Sequence, residues 1–352
     1  MSGVWAYAAL HARVRAMYSA KLAPGKWTEL EEAPDLRGFT DSLKDTAYGP
    51  HLERVAEENL TPRRTAYQIL GRIAEIYSAV IRWGGGPPRE ILQQVYRHFE
   101  VDNLKAVLRG VETGAAWTRV QFVLFPYGEE SLVPGEQMVQ AGDMRAAVEK
   151  LRGTPYYRTL DHAMARYSSE RSVFPLEVAL DLDYWRTLWN AVHRLSGPDR
   201  EQCLRIIGSQ MDMHNLLWAV RYRVYHRLSE EEIINYTLPF GFQVRDEDIR
   251  AVAAGADIAQ IASRVYPDVT DVEALLDSPR SGLPILEVRL QRHVADQCRA
   301  ALAGYPFQIG IPLAFAMLSE METRDLILLI EAKSLHMPPA EYRPFLLLRK
   351  EA

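Results

Sequence analysis

The sequence predicts an all-α fold built from three divergent copies of one helical unit, each centred on a helical hairpin. Three observations carry the helical units. Apolar residues recur at spacings of three and four along most of the chain, and no segment alternates at period two for long enough to demand a strand. Glycine- and proline-rich turns cut the chain into pieces of helical length. A short pattern of acid, two residues, amide or acid, then leucine occurs three times: Glu100, Asn103 and Leu104; Asp212, Asn215 and Leu216; Glu322, Asp325 and Leu326. Asn103, Asn215 and Asp325 lie 112 and 110 residues apart. That period exceeds the roughly 20–50 residues of a solenoid repeat and matches a small domain. The expected units are residues 1–120, 121–229 and 230–352.

Further anchors keep the same order. Leu43-Lys44-Asp45-Thr46-Ala47-Tyr48 resembles Leu151-Arg152-Gly153-Thr154-Pro155-Tyr156, 108 residues on, and Leu275-Leu276-Asp277-Ser278-Pro279 is a looser third copy. Leu124-Phe125-Pro126-Tyr127-Gly128 resembles Leu238-Pro239-Phe240-Gly241. Each is followed by a small-residue turn, Ala141-Gly142-Asp143 and Ala254-Gly255-Ala256-Asp257.

Taken in order, residues 4–22 read as a helix that Ala23-Pro24-Gly25 stops. Two short helices follow over 27–48, divided at Ala33-Pro34-Asp35. Thr61 caps a long helix with Pro62 at its first position, and Leu70, Ile73, Tyr77 and Val80 form its buried stripe as far as Trp83. Gly84 to Pro88 turn the chain into a partner helix ending near Glu112, which makes a helical hairpin. The second copy has short helices over 121–150, a long helix over 157–195 kinked at Pro175, a turn at Ser196-Gly197-Pro198, and a partner helix over 199–227. The third has short helices at 246–254 and 257–265 and long helices at 283–303 and 312–335, ended by Met337-Pro338-Pro339.

At 352 residues the chain exceeds the roughly 250–300 at which single cores stop growing. Its net charge of −5 and pI of about 6.0 imply no general attraction to nucleic acid or anionic lipid. Cys203 and Cys298 cannot build a disulfide framework. The apolar run Val4 to Leu10 is too short for a signal peptide. The uncharged run Tyr305 to Ser319 holds Pro306 and Pro312 and falls short of the about 20 residues a membrane span needs. A soluble, cytoplasmic chain is expected, with no membrane insertion and no nucleic-acid partner.

Catalytic chemistry is not visible, and neither a cofactor nor a metal site is expected. Histidines are scattered, His-Glu-x-x-His and paired Cys-x-x-Cys are missing, and Gly84-Gly85-Gly86 leads into prolines and not into a phosphate loop. Asp181 and Asp183 flank Leu182 and could hint at a magnesium-diphosphate site, although magnesium needs more oxygen ligands. Glu100, Asp212 and Glu322 share a helix face with Asn103, Asn215 and Asp325 and could meet on a common axis around an ion. The plainer reading is that each ties its helix to a neighbouring backbone, because repeated motifs preserve the packing of the unit. Arg109 and Arg221 lie six residues after Asn103 and Asn215, whereas the third copy has Glu331 there.

Phe99 to Arg109, Met211 to Leu216, Glu322 to Leu335 before Pro338-Pro339, and the Leu238-Pro239-Phe240-Gly241 turn together resemble the C subunit of the archaeal/vacuolar-type (A-type/V-type) rotary ATPases, whose eukaryotic counterpart is the d subunit of the V-ATPase. The chain departs mildly, with Arg324 where the other copies have Asp102 and His214, and with Asp325 in place of asparagine. The resemblance implies a three-fold pseudo-symmetric funnel of helical-hairpin units on the cytoplasmic end of the membrane rotor ring. Its cavity would receive the tip of the central shaft, made of the D and F subunits. Such a protein is non-catalytic and carries torque for ion transport or ATP synthesis. Two other readings stand beside it: an all-α magnesium-dependent diphosphate enzyme using Asp181 and Asp183, and a helical peptide-binding adaptor.

Overall fold

In a computed structural model, residues 2–53, 60–128, 130–256 and 258–348 are described, and among them every regular element is helical. The first third begins with α1 (Ser2–Tyr18), α2 (Pro24–Glu32), α3 (Leu36–Leu43) and α4 (Gly49–Leu52). Asp35 caps α3 by accepting the Gly38 N–H at 2.8 Å. The hairpin of α5 (Pro62–Trp83) and α6 (Gly86–Glu112) follows, with Pro62 in the first turn and Thr61 accepting the Arg64 N–H. The buried stripe of α5 is Ile69, Ile73, Ile76, Tyr77 and Val80, while Leu70 is only half-buried.

The middle third contains α7 (Trp117–Val120), α8 (Gly135–Val139), α9 (Met144–Glu149), α10 (Tyr156–Glu170), α11 (Phe174–Arg194), α12 (Gly197–Cys203) and α13 (Ser209–Arg221). The single kinked helix expected over 157–195 is two helices. Arg171 ends α10 in the left-handed region at φ 49°, and Pro175 lies in the first turn of α11. A proline there disrupts nothing, because first-turn N–H groups have no helical acceptor. Leu204–Gly208 forms wider π turns that join α12 and α13 into one rod.

The last third runs through α14 (Glu230–Asn235), α15 (Asp246–Ala254), α16 (Ile258–Val265), α17 (Val272–Asp277), α18 (Pro279–Leu302), α19 (Gly310–Ser334) and α20 (Pro339–Tyr342). The stretch Leu275 to Pro279, expected to match Leu43 and Leu151, falls instead in α17 and the start of α18. The better counterpart is Val265 at the end of α16. It lies eight residues after Asp257, as Leu43 and Leu151 lie eight after Asp35 and Asp143, which cap α3 and α9. Asp257 itself is outside the described residues.

The long helices form a closed circuit of contacts. The order is α5 on α6, α6 on α11, α11 on α12, the α12–α13 rod on α18, α18 on α19, and α19 back on α5. The short helices cover this circuit in a matching cyclic order. Helices α8 and α9 pack on α6, α15 packs on α13, and α3 packs on α19. Each motif helix is thus clad by short helices that come later in the chain, and α19, followed only by the short α20, is clad also by α3 from the first third. Three apolar clusters follow the same plan. One joins α6 to α8–α10, one joins α2 and α3 to the end of α19, and the largest fills the space among the long helices and α1. Ile309 to Ser319 are all buried, because α1 lies against α19 and the Tyr18 ring meets Phe315 at 6.3 Å. The uncharged run Tyr305 to Ser319 therefore largely belongs to the protein interior. No described helix is long and apolar enough to cross a membrane.

Candidate functional site: a repeated clamp and a central recess

The motif amides grip a loop 22 or 23 residues downstream. Asn103 donates Nδ2 to the Phe125 carbonyl at 2.9 Å and accepts the Phe125 N–H at 2.7 Å. Asn215 does the same to Leu238, at 2.9 and 2.8 Å. Both gripped residues precede a proline, Pro126 and Pro239, which disfavours helical backbone and holds them extended. An extended residue offers its N–H and C=O side by side, and a carboxamide matches that pair. Asp325 has no donor, and its loop differs accordingly: its carboxylate accepts two N–H groups, from Leu347 at 2.7 Å and Leu348 at 2.9 Å. Burial pushes the Asp325 carboxyl up to about 6, only partly offset by those two bonds.

The amide and the acid are therefore not interchangeable. Asn215→Asp sets a carboxylate oxygen against the Leu238 carbonyl, and Asp325→Asn sets an NH2 against an N–H. Each isosteric change is expected to cost about 2–4 kcal/mol in urea unfolding at pH 8. The Asn215→Asp carboxyl is destabilised when charged, so its folded pKa lies above the unfolded value. Its deficit shrinks as pH falls through that folded pKa, because the protonated carboxyl can donate to the carbonyl. The Asp325→Asn deficit has no such relief. Losses under about 0.5 kcal/mol in both would show that the clamps contribute little.

The motif acids do not meet on an axis. Glu100 accepts the Tyr156 hydroxyl, the Leu132 N–H and the Ser131 hydroxyl. Glu322 accepts the Tyr48 hydroxyl at 3.1 Å and pairs with the Lys21 ammonium at 3.2 Å. Tyr48 and Tyr156 end the two matching anchors, so the likeness of those anchors marks a pair of acid-binding tyrosines that spacing alone leaves unread. Asp212, one methylene shorter, stays close to its helix and accepts three backbone N–H groups from Phe242, Gln243 and Val244, at 2.8, 2.6 and 3.2 Å. Gly241 makes room for this. A Cβ there would sit 2.0 Å from the Val244 carbonyl and 2.6 Å from Asp212 Oδ1. Tyr266, just past α16, feels the Asp212 charge, yet its buried hydroxyl has no hydrogen-bond partner among the described residues. Burial raises the Asp212 carboxyl to about 6, as it does Asp325.

The arginines make a second repeated link. Arg109 holds Glu177 of α11 at 2.9 Å and Arg221 holds Glu287 of α18 at 2.6 Å, each tying a motif helix to the next long helix. Glu331 takes this place in α19, exposed, so the circuit closes there without that pair. Asp181 is paired with Lys105 at 2.7 Å, and Asp183 lies on another side of α11 because residues two apart on a helix diverge. The two carboxylates do not converge, and among the described residues no three metal-ligating side chains cluster.

At the centre of the circuit lies a recess of about 370 Å³, lined from α5, α6, α13, α18 and α19. Three pairs of positions four apart look into it: His98 and Asp102, Gln210 and His214, Glu320 and Arg324. These positions are equivalent in the repeat, and the sequence marks only Asp102, His214 and Arg324, as departures. Glu320 accepts the Tyr77 hydroxyl and lies 3.7 Å from His98. Both keep some exposure, 20% and 27% of the side chain, because they look into open space. His214 packs beside Trp185, with ring centroids 5.2 Å apart, and burial lowers its pKa to about 4, so it is neutral near pH 7. Arg324 donates to the Gln291 amide oxygen. Lys105 bridges Asp102 and Asp181, at 2.7 Å each.

A closed circuit of helices, tied by repeated buried clamps around a recess of mixed polar and apolar lining, defines an all-α repeat scaffold. The chain belongs to the ATP synthase (C/AC39) subunit family, whose pattern matches residues 10–345. It is 22% identical over 349 residues to the C subunit of the A-type ATP synthase of Methanocaldococcus jannaschii, covering 97% of this chain and 86% of that one. It is 24% identical to the same-named protein of Methanobrevibacter smithii, covering 94% and 85%, and 23% identical to that of Thermococcus onnurineus, covering 92% and 86%.

Proposed function

We propose that this chain is a non-catalytic central-stalk subunit of an A/V-type ATP synthase. It is a socket that couples a D–F shaft to the membrane rotor ring and transmits torque for ion transport or ATP synthesis. The observation that carries the reading is the recess inside a closed circuit of long helices, in a chain matched to the family along nearly its whole length. In this reading residues 1–120, 121–229 and 230–352 are three units related by a pseudo-three-fold axis through the recess. The chain sits at the cytoplasmic face of the membrane as a peripheral part of the complex. Large apolar side chains are exposed at both ends of the long helices. Trp83 and Tyr305 lie at hairpin tips, and Tyr225 and Leu335 lie just past the motif helices. A coupling between two partners needs contacts at two ends, and exposed apolar groups are suited to that role.

The test is assembly. The purified chain should bind the D–F shaft tightly and one to one. It should also co-sediment with membranes carrying the rotor ring, in a way that salt weakens, because exposed charge contacts are screened. A chain that binds neither shaft nor ring overturns the assignment.

A further inference from the structure

We propose that the recess seats its partner in one rotational register, set by unlike charges at three equivalent wall positions. The inference rests on the socket reading above. Positions four apart on a helix share a face, so α6, α13 and α19 turn the same face to the recess. Their positions in the motif repeat, but their side chains do not. The outer set is a carboxylate on Asp102, an uncharged imidazole on His214 and a guanidinium on Arg324. One turn along each helix, Glu320 accepts the Tyr77 hydroxyl and lies 3.7 Å from the His98 ring, while Gln210 is neutral. Going round the wall, α6 contributes an open negative charge, α13 none, and α19 an open positive charge.

Both outer charges are available to a partner. The Asp102 side chain is 59% exposed despite its contact with Lys105. Arg324 is exposed, and among the described residues its polar partner is the Gln291 amide and not a carboxylate. The recess, about 370 Å³, has room for about one turn of helix, roughly 400 Å³ for a cylinder about 10 Å across and about 5.4 Å high. The occupant is therefore the end of a helical rod, with a cation toward α6, an anion toward α19 and an uncharged face toward α13. On a three-fold frame with identical walls, such a rod would have three equal seats a third of a turn apart. A rod free to hop among them would turn without carrying the socket. With unlike walls, each wrong seat sets like charges together or leaves a charge unmatched, and electrostatic complementarity fixes register in this way.

The experiment is titration calorimetry of the purified D–F shaft into the chain at about 0.1 M salt, where charge contacts within a Debye length still act. Asp102→Asn with Arg324→Gln removes the pattern and is expected to weaken binding roughly 3- to 10-fold. Asp102→Arg with Arg324→Asp keeps the net charge but reverses the pattern, and is expected to weaken binding at least about 100-fold. Equal weakening by the two variants overturns the register and leaves the socket reading intact. A wild-type chain that does not bind the shaft overturns both. Should the reversed variant fail to fold, Arg324→Glu against Arg324→Gln makes the same comparison on one wall. A Glu variant no weaker than the Gln variant overturns the register equally.

Discussion

Glu322→Ala is expected to cost on the order of 3–5 kcal/mol of folding stability, because it strands a buried cation. Lys21 is only 18% exposed at its side chain and has two partners, the Glu322 carboxylate at 3.2 Å and the Leu318 carbonyl at 3.2 Å. Burial lowers the Lys21 pKa even with Glu322 beside it, so the ammonium is already disfavoured and the carboxylate keeps it charged. The Tyr48 hydroxyl also loses an acceptor, although Thr323 remains 3.2 Å away. The change falls near the region where α3 packs on α19 and joins the first part of the chain to the last. Urea unfolding measures the loss, and amide exchange should accelerate first in α2 and α3. The double change Lys21→Met with Glu322→Gln removes both charges at similar volume and should recover most of the stability. A single-variant loss under about 1 kcal/mol would show that the pair is as weak as an exposed ion pair.

The all-helical fold is legible in the sequence because periodicity and turn chemistry are local. Thr61-Pro62, Asp35 and the Gly84 turn act over a few residues and can be read directly. The break near Pro175 is not, because a proline is compatible either with a kink or with a first turn, and the left-handed Arg171 that decides between them has no sequence mark. The clamps are half legible. Asn103 and Asn215 stand out by repetition, and their Phe125-Pro126 and Leu238-Pro239 partners stand out as a separate anchor. Only the fold joins the two sets, 22 and 23 residues apart. Lys21 gives no signal, since its partner lies 301 residues away. The recess positions are hidden for a different reason. A repeat is found by what its copies share, and His98, Gln210 and Glu320 share only their place.

Removing this chain from the assembled complex is expected to abolish ion transport coupled to ATP while leaving hydrolysis by the soluble head. In the proposed arrangement the shaft touches the ring only through the socket. Torque then passes through two contacts in series, and coupling fails when either is lost. The shaft contact has to resist shear during turnover. It therefore calls for a buried area of at least about 1,000 Å² with a desolvated centre and a polar rim, and the recess with its charged mouth is suited to that centre. The ring contact is of another kind, because a three-fold object meets a ring whose symmetry generally differs. Equivalent surfaces cannot all be matched at once, so a polar contact that tolerates mismatch is expected, weakened by salt. Vesicles reconstituted with and without the chain decide the matter, with ATP hydrolysis and ion uptake followed together. Uptake should fall to background without the chain and return when it is added back. Uptake that persists at the normal ratio to hydrolysis would mean that torque reaches the ring by another route, and the socket role would fall.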